Sequence, residues 1–197
     1  LHTTGDVVCG LGDAPLACMA RGSAPLLARK PVALTSEQAC TPPVTWSTTH
    51  AAMERSSLRA GRTMVVQAAT GGVGLTAIEY TRWLSGASVG TAGRPHKHTV
   101  LRAMGVGALC SSRDAAAFAT GAMRLLAGRS HAVLNSLSLD FIAASFASLG
   151  EGGAFEEIGK RNIWASPRCL ESGPTTTYRA TALGAERAHD PAWLESG

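Results

Sequence analysis

The stretch Thr63-Met-Val-Val-Gln-Ala-Ala-Thr-Gly-Gly-Val-Gly-Leu75 constrains the fold more than any other part of the chain. An apolar run of strand character ends in a glycine-rich turn, and that turn opens a helical pattern. Strand, glycine turn and helix in immediate succession make a phosphate-binding fingerprint, which glycines alone do not. Gly71 is expected to take the backbone angles of a tight turn. Gly72 leaves room for a pyrophosphate to approach the main chain, and Gly74 lets the helix pack close to the strand. Thr70 and Val73 complete the cradle. The N–H groups at the helix start, with the positive end of its dipole, then face the phosphates.

From this fingerprint onward strands and helices alternate. Strands are expected near 64–68, 88–91, 108–110, 132–135, 153–158 and 176–180. Helices fall between them, at 73–84, 96–104, 115–126 and 140–148, with an irregular stretch before the last strand. Such alternation calls for an α/β fold, a doubly wound six-stranded parallel sheet of the Rossmann type. Low charge (16%) and 22 glycines suit a buried sheet with tight connections. Upstream, residues 5–32 read as short extended pieces, near 5–8 and 26–31, broken by glycine and proline. Thr35 or Ser36 should cap a helix, with Glu37 in its first turn. A further helix is expected over 44–55, after Pro42-Pro43. The 197 residues thus divide into a small β remnant (1–35), a nucleotide-binding domain (36–183) and a polar tail (184–197) expected to fray or to be a severed helix. Leu1 in place of Met suggests a segment of something longer.

Other function classes are not supported. A net charge of +4 without Lys and Arg interleaved among aromatics offers no nucleic-acid surface. No apolar run reaches membrane-spanning length and no signal pattern opens the chain, so no membrane partner is expected and the compartment reads as cytoplasmic. Cys9, Cys18, Cys40, Cys110 and Cys169 lack metal-ligand spacing; buried small hydrophobes suit them better than a disulfide set or a zinc site. No metal is expected. His50, His96, His98 and His131 have no telling partners and read as surface or helix-end residues.

Past the second strand, Arg94 and Lys97 stand where folds selective for NAD place an acid for the ribose 2′-OH. Basic residues there favour a 2′-phosphate, hence NADPH over NADH; the alternative is a solvated pair at a helix start.

Four segments occur in order: Pro43-Val44 with Trp46 and Thr48, then Gln67-Ala-Ala-Thr-Gly-Gly-Val-Gly74, Val133-Leu-Asn-Ser-Leu137 and Glu157-Ile-Gly-Lys160. Together they resemble the enoyl reductase domain of modular polyketide synthases and animal-type fatty acid synthases, in the medium-chain dehydrogenase/reductase superfamily. The resemblance spans about residues 5–183. It implies reduction of a 2-enoyl thioester, carried on an acyl carrier protein within a multienzyme, by hydride from NADPH and without zinc. Residues 1–35 would be the remnant of a GroES-like substrate domain. Half of the acyl cleft would then lie outside the chain, leaving apolar surface exposed at an open edge.

The resemblance also assigns roles. Lys160 matches the Ile-Gly-Lys lysine, a proton donor at the carboxyl edge of the sheet; otherwise it is a solvated surface lysine. Asn135 and Ser136 would line the nicotinamide ribose and ring, or else satisfy their own turn. Lys97 matches a family lysine, and Ser112 and Arg113 match a Ser-Ser-Arg on the adenosine side. Thr48 matches a threonine close to the nicotinamide, and Trp46, where tyrosine is common, is expected to pack in the core. Two positions depart from the pattern. Ala182 replaces an aspartate thought to act with the lysine, and Asn162 replaces an acid after Gly-Lys. These losses leave open a degenerate module that binds NADP without turnover. A free-standing reductase of the quinone reductase kind is the other alternative.

Overall fold

The computed structural model describes residues 2–13, 17–126 and 130–181. Its residues form two compact units that divide between Thr48 and Thr49. In the first, β1 (Val8–Gly10) pairs antiparallel with β2 (Leu27–Arg29). The pairing is close enough that a Cβ on Gly10 would lie 2.0 Å from the Leu26 carbonyl oxygen. A one-turn 3₁₀ helix at Ala24–Leu26 shortens the extended piece expected from residue 26. α1 (Ser36–Ala39) starts on a reciprocal cap: the Thr35 hydroxyl accepts from the Gln38 N–H and the Gln38 side chain accepts from the Thr35 N–H. α2 (Pro42–Ser56) begins in this unit, with prolines at positions where a missing N–H costs nothing. The division between the two compact units falls inside α2.

The second unit runs β3 (Thr63–Val66), α3 (Gly72–Trp83), β4 (Ala87–Ala92), α4 (Pro95–Ala103), β5 (Ala108–Ser111), α5 (Ala115–Leu125), β6 (Ser130–Asn135), α6 (Asp140–Ser148), β7 (Leu149–Glu157), α7 (Ser166–Ser172) and β8 (Thr177–Ala180). Its six strands are parallel and lie in the order β5-β4-β3-β6-β7-β8. Counted from β3 this is 3-2-1-4-5-6, the doubly wound dinucleotide order, and the expected fold class is the one observed.

Period-two alternation along the strands builds a core on each face. Met64 and Val66 of β3, Ala132 and Leu134 of β6 and Ala154 of β7 pack with Ala52, Met53, Ala77, Ile78 and Leu101 from α2, α3 and α4. Val65, Val133 and Phe155, one residue out of step, pack with Phe118, Ala122, Ile142, Phe146 and Cys169 from α5, α6 and α7. On that second face Phe146 stacks on Phe155, with centroids 4.3 Å apart, and on Trp164 at 5.3 Å. The Arg168 guanidinium covers Trp164 at 4.0 Å.

Several expectations are corrected. The stretch read as irregular contains α7, entered through Pro167. β3 stops at Val66 because Ala68 turns to φ 47°. Cys110 and Cys169 are buried as expected, but Cys18 and Cys40 are exposed; none of the five is disulfide-bonded. Trp46 is not core: it is 37% exposed and lines an apolar groove of the first unit with Pro25, Leu27, Leu34 and Pro43. His50 does have a carboxylate nearby, Glu54 at 4.0 Å, and its Nδ1 bonds the Tyr80 hydroxyl. Ala182 and the tail 184–197 lie outside the described residues. Among the described residues no helix is long and apolar enough to cross a membrane.

Candidate functional site

Parallel pairing puts the carboxyl ends of all six strands on one edge of the sheet. The strand order reverses at β3, so the crevice outside β3 and β6 is where a doubly wound sheet accepts a ligand. The fingerprint turn lies there. α3 begins at Gly72 with Gly71 as its N-cap, and no side chain caps it, which leaves its first N–H groups free to meet an anion.

The glycines differ in what they do. A Cβ on Gly74 would lie 2.7 Å from the Cα, C and O atoms of Ala69, so only glycine lets α3 lean this close to the turn. Gly71 does not make the tight turn, having φ −77° and ψ 166°. That conformation is Ala68's, whose positive φ is unusual for a residue with a side chain. A buried network holds it. The Thr91 hydroxyl accepts from the Ala68 N–H at 2.9 Å and donates to Gln67 Oε1 at 2.9 Å. Gln67 Nε2 donates to the Ser145 hydroxyl at 2.8 Å. Thr91 and Ser145 carried no sequence signal, since single hydroxyl residues in a strand and a helix look unremarkable.

The adenosine side is expected beyond β4. Arg94 is the exposed N-cap of α4, and Lys97 sits half-buried in its first turn. Arg113 approaches the same place from the loop after β5: its Cγ and Nε lie 2.7 Å from where a Gly93 Cβ would be. A side chain at Gly93 would have to displace that arginine. Ser111 organises that loop, its hydroxyl accepting from the Arg113 and Asp114 N–H groups, while Ser112 is half-buried beside it.

Past β6, Ser136 meets the residues past β7. Ser136, Leu137, Ser138, Gly159, Lys160 and Arg161 line one cleft of about 350 Å³. Lys160 is exposed there. Asn135 does not open onto it. It is fully buried, its Nδ2 donates to the Leu137 carbonyl and to Glu157 Oε2, both at 2.7 Å, and its Oδ1 accepts from the Leu137 N–H. The alternative of satisfying its own turn therefore describes the Asn135 side chain. Glu157, the first residue of Glu157-Ile-Gly-Lys160, is 1% exposed. Burial pushes its carboxyl up to about 7, against the two hydrogen bonds it accepts from Asn135 and from the Gly159 N–H. Tyr178 is pushed up to about 12 by burial and by the neighbouring Glu157. The unexpected positive φ of 60° at Leu139 strains the end of the β6 loop.

Thr48 belongs to the first unit, and its hydroxyl donates to the Val44 carbonyl of its own helix at 2.7 Å. Among the described residues no three His, Cys, Asp or Glu side chains are grouped to hold a metal ion.

Comparison with known proteins agrees with this fold. No family model matches the chain. It is 37% identical over 185 residues to the spectinabilin polyketide synthase system protein NorB of Streptomyces orinoci, covering 91% of this chain and 8% of that protein. The crystal structure of the CurK enoyl reductase superposes with a TM-score of 0.84 at 29% identity, over 89% of this chain and 53% of that one. The chain belongs to the polyketide synthase enoyl reductase family. The nucleotide-binding subdomain of the enoyl reductase domain of PpsC from Mycobacterium tuberculosis aligns over 78% of this chain and 87% of its own length, at 26% identity and a TM-score of 0.69. The mycobacterial protein Rv1454c, solved in complex with NADPH, shares the fold at 23% identity and a TM-score of 0.77, over 90% of this chain and 56% of its own. The chain therefore spans a small fraction of the synthase NorB and about half of the CurK enoyl reductase and Rv1454c structures.

Proposed function

We propose that this chain is the cofactor-binding half of an enoyl reductase in a polyketide synthase-like multienzyme, reducing a 2-enoyl thioester held on an acyl carrier protein. One observation carries the reading: the glycine fingerprint, the basic group at β4 and the Lys160 cleft lie along the carboxyl edge of a single 3-2-1-4-5-6 sheet. The free N–H groups of α3 and the space kept by glycine fit a pyrophosphate, with Thr70, Gly71, Gly72, Val73 and Gly74 as the cradle. Arg94, Lys97 and Arg113, with Ser112, would hold a ribose 2′-phosphate, which selects NADPH over NADH. Thr48, Asn135 and Ser136 are assigned to the nicotinamide end, Asn135 through the loop it braces.

Bound NADPH would supply the hydride that adds to the β-carbon. Negative charge then develops on the thioester oxygen, and the α-carbon must gain a proton. Lys160 is assigned the role of stabilising that charge and delivering the proton from its ammonium group. The product is the saturated thioester. A second reading rests on Asn162, exposed where the family pattern has an acid: a module that binds NADPH and turns nothing over. Enoyl-thioester reduction by the intact multienzyme, with and without Lys160→Ala, separates the two. Loss of turnover with cofactor affinity retained supports the first reading, and absent turnover in the unmodified protein supports the second.

A further inference from the structure

Glu157 is a buried ionisable group beside the site to which the proposed reaction gives no role. Glu157 ends β7 and lies two residues before Gly159, with Lys160 next. One of its oxygens takes the Asn135 Nδ2–H at 2.7 Å and the other takes the Gly159 N–H at 2.7 Å. Asn135 ends β6, and its amide also closes the turn to Leu137. The main chains of the two strand ends are joined as well, by Ile158 N–H to the Asn135 carbonyl at 2.9 Å.

We propose that Glu157 is a positioning residue: its carboxylate clamps the loop carrying Ser136 to the loop carrying Lys160 and so fixes the two walls of the cleft. The inference rests on the proposed function only for the use made of that cleft. The clamp is asymmetric in what it tolerates. Both partners that face the carboxylate are N–H donors, so an ionised carboxylate satisfies both. A protonated one carries a hydrogen on one oxygen, and that oxygen then faces a donor where it needs an acceptor. The other groups facing it are Tyr178 of β8 and Cys169 of α7, both neutral acids held above their ordinary range by burial and further raised by the Glu157 charge. Neither supplies a positive charge to hold the carboxylate ionised. Burial and hydrogen bonding therefore compete in the neutral range, where the carboxyl sits at about 7, and the clamp loosens as pH falls through it. The far end of the Lys160 loop is held independently, by Trp164 stacked on Phe146, so loosening is confined to the Glu157 end.

The test is nuclear magnetic resonance of this chain between pH 5 and 9, roughly bracketing that value. The Asn135 side-chain amide and the Gly159 backbone amide should titrate with one shared midpoint, and Gly159 should gain exchange protection as pH rises. Glu157→Gln should remove both titrations and reduce Gly159 protection about tenfold, the loss expected for one charge-assisted hydrogen bond. The titration of the unsubstituted chain needs no variant, so the test holds even where the substitution impairs folding. Absent titration, or separate midpoints for the two amides, would overturn the proposal. NADPH binding is measured on the same samples. If the unsubstituted chain fails to bind while the amides titrate together, the proposed function fails and the clamp stands.

Discussion

Gly74→Ala isolates the close approach of helix and turn on which the phosphate cradle depends. The added methyl carbon would sit 2.7 Å from three backbone atoms of Ala69. Ordinary carbon contacts are about 3.5–4.0 Å, so α3 or the turn must move by roughly 1 Å. Backbone has no rotamer with which to yield. Overpacking of this kind costs about 1–3 kcal/mol, and the better helix propensity of alanine offsets up to about 1 kcal/mol of it. A net loss of about 1–2 kcal/mol should lower the urea midpoint by about 0.5–1 M at the slopes usual for small domains. Gly71→Ala is the control. Gly71 has φ −77°, open to any residue, and its Cβ would meet only the Ala68 carbonyl oxygen at 3.3 Å. Its stability change should stay within about 0.5 kcal/mol. Gly74→Ala should also weaken NADPH binding, because the displaced helix start carries the phosphate-facing N–H groups. The fingerprint pattern alone ranks these glycines together. A Gly74→Ala midpoint at or above that of Gly71→Ala would refute the packing argument.

Three further predictions follow from named contacts. Gly93→Ala should displace Arg113, whose flexible side chain can move, leaving thermal stability nearly unchanged while the preference for NADPH over NADH falls; paired cofactor titrations measure it. Stability should decline as pH rises between about 4.5 and about 7, because folded Glu157 keeps its proton across a window in which the unfolded chain has lost it. Glu157→Gln should flatten that slope in urea titrations at several pH values, and an unchanged slope would assign it to another group. Lys160→Ala in the intact multienzyme should reduce turnover on the order of a hundredfold with little change in NADPH affinity; undiminished turnover would remove Lys160 from the chemistry.

The sheet was legible because each strand is a short apolar run closed by a glycine or polar turn, as at Val133-Leu-Asn-Ser. The site edge followed, since parallel strands leave their carboxyl ends together. What escaped was long-range hydrogen bonding. Nothing local marks Ala68 as the left-handed residue of the turn, because Thr91, 23 residues away, accepts its N–H. Glu157 looked like one more residue of Glu157-Ile-Gly-Lys160, and only the β6–β7 pairing brings Asn135 against it. Asn135 fits either a ligand-lining role or its own turn from the sequence, and only the structure shows its amide bonded to the Leu137 carbonyl and to Glu157. α7 was missed because Ser166–Ser172 is short and mostly polar, and only Cys169 reaches the core.

The central claim is a nicotinamide nucleotide held along the carboxyl edge with its 2′-phosphate met by Arg94, Lys97 and Arg113. Titration of this chain with NADPH and with NADH, followed by cofactor fluorescence at two salt concentrations, tests it most directly. NADPH should bind roughly ten- to a hundredfold tighter than NADH, as charge-assisted hydrogen bonds to one phosphate would give, and the difference should narrow at high salt and in Lys97→Ala. Equal affinity for the two, or binding of neither, would contradict the account.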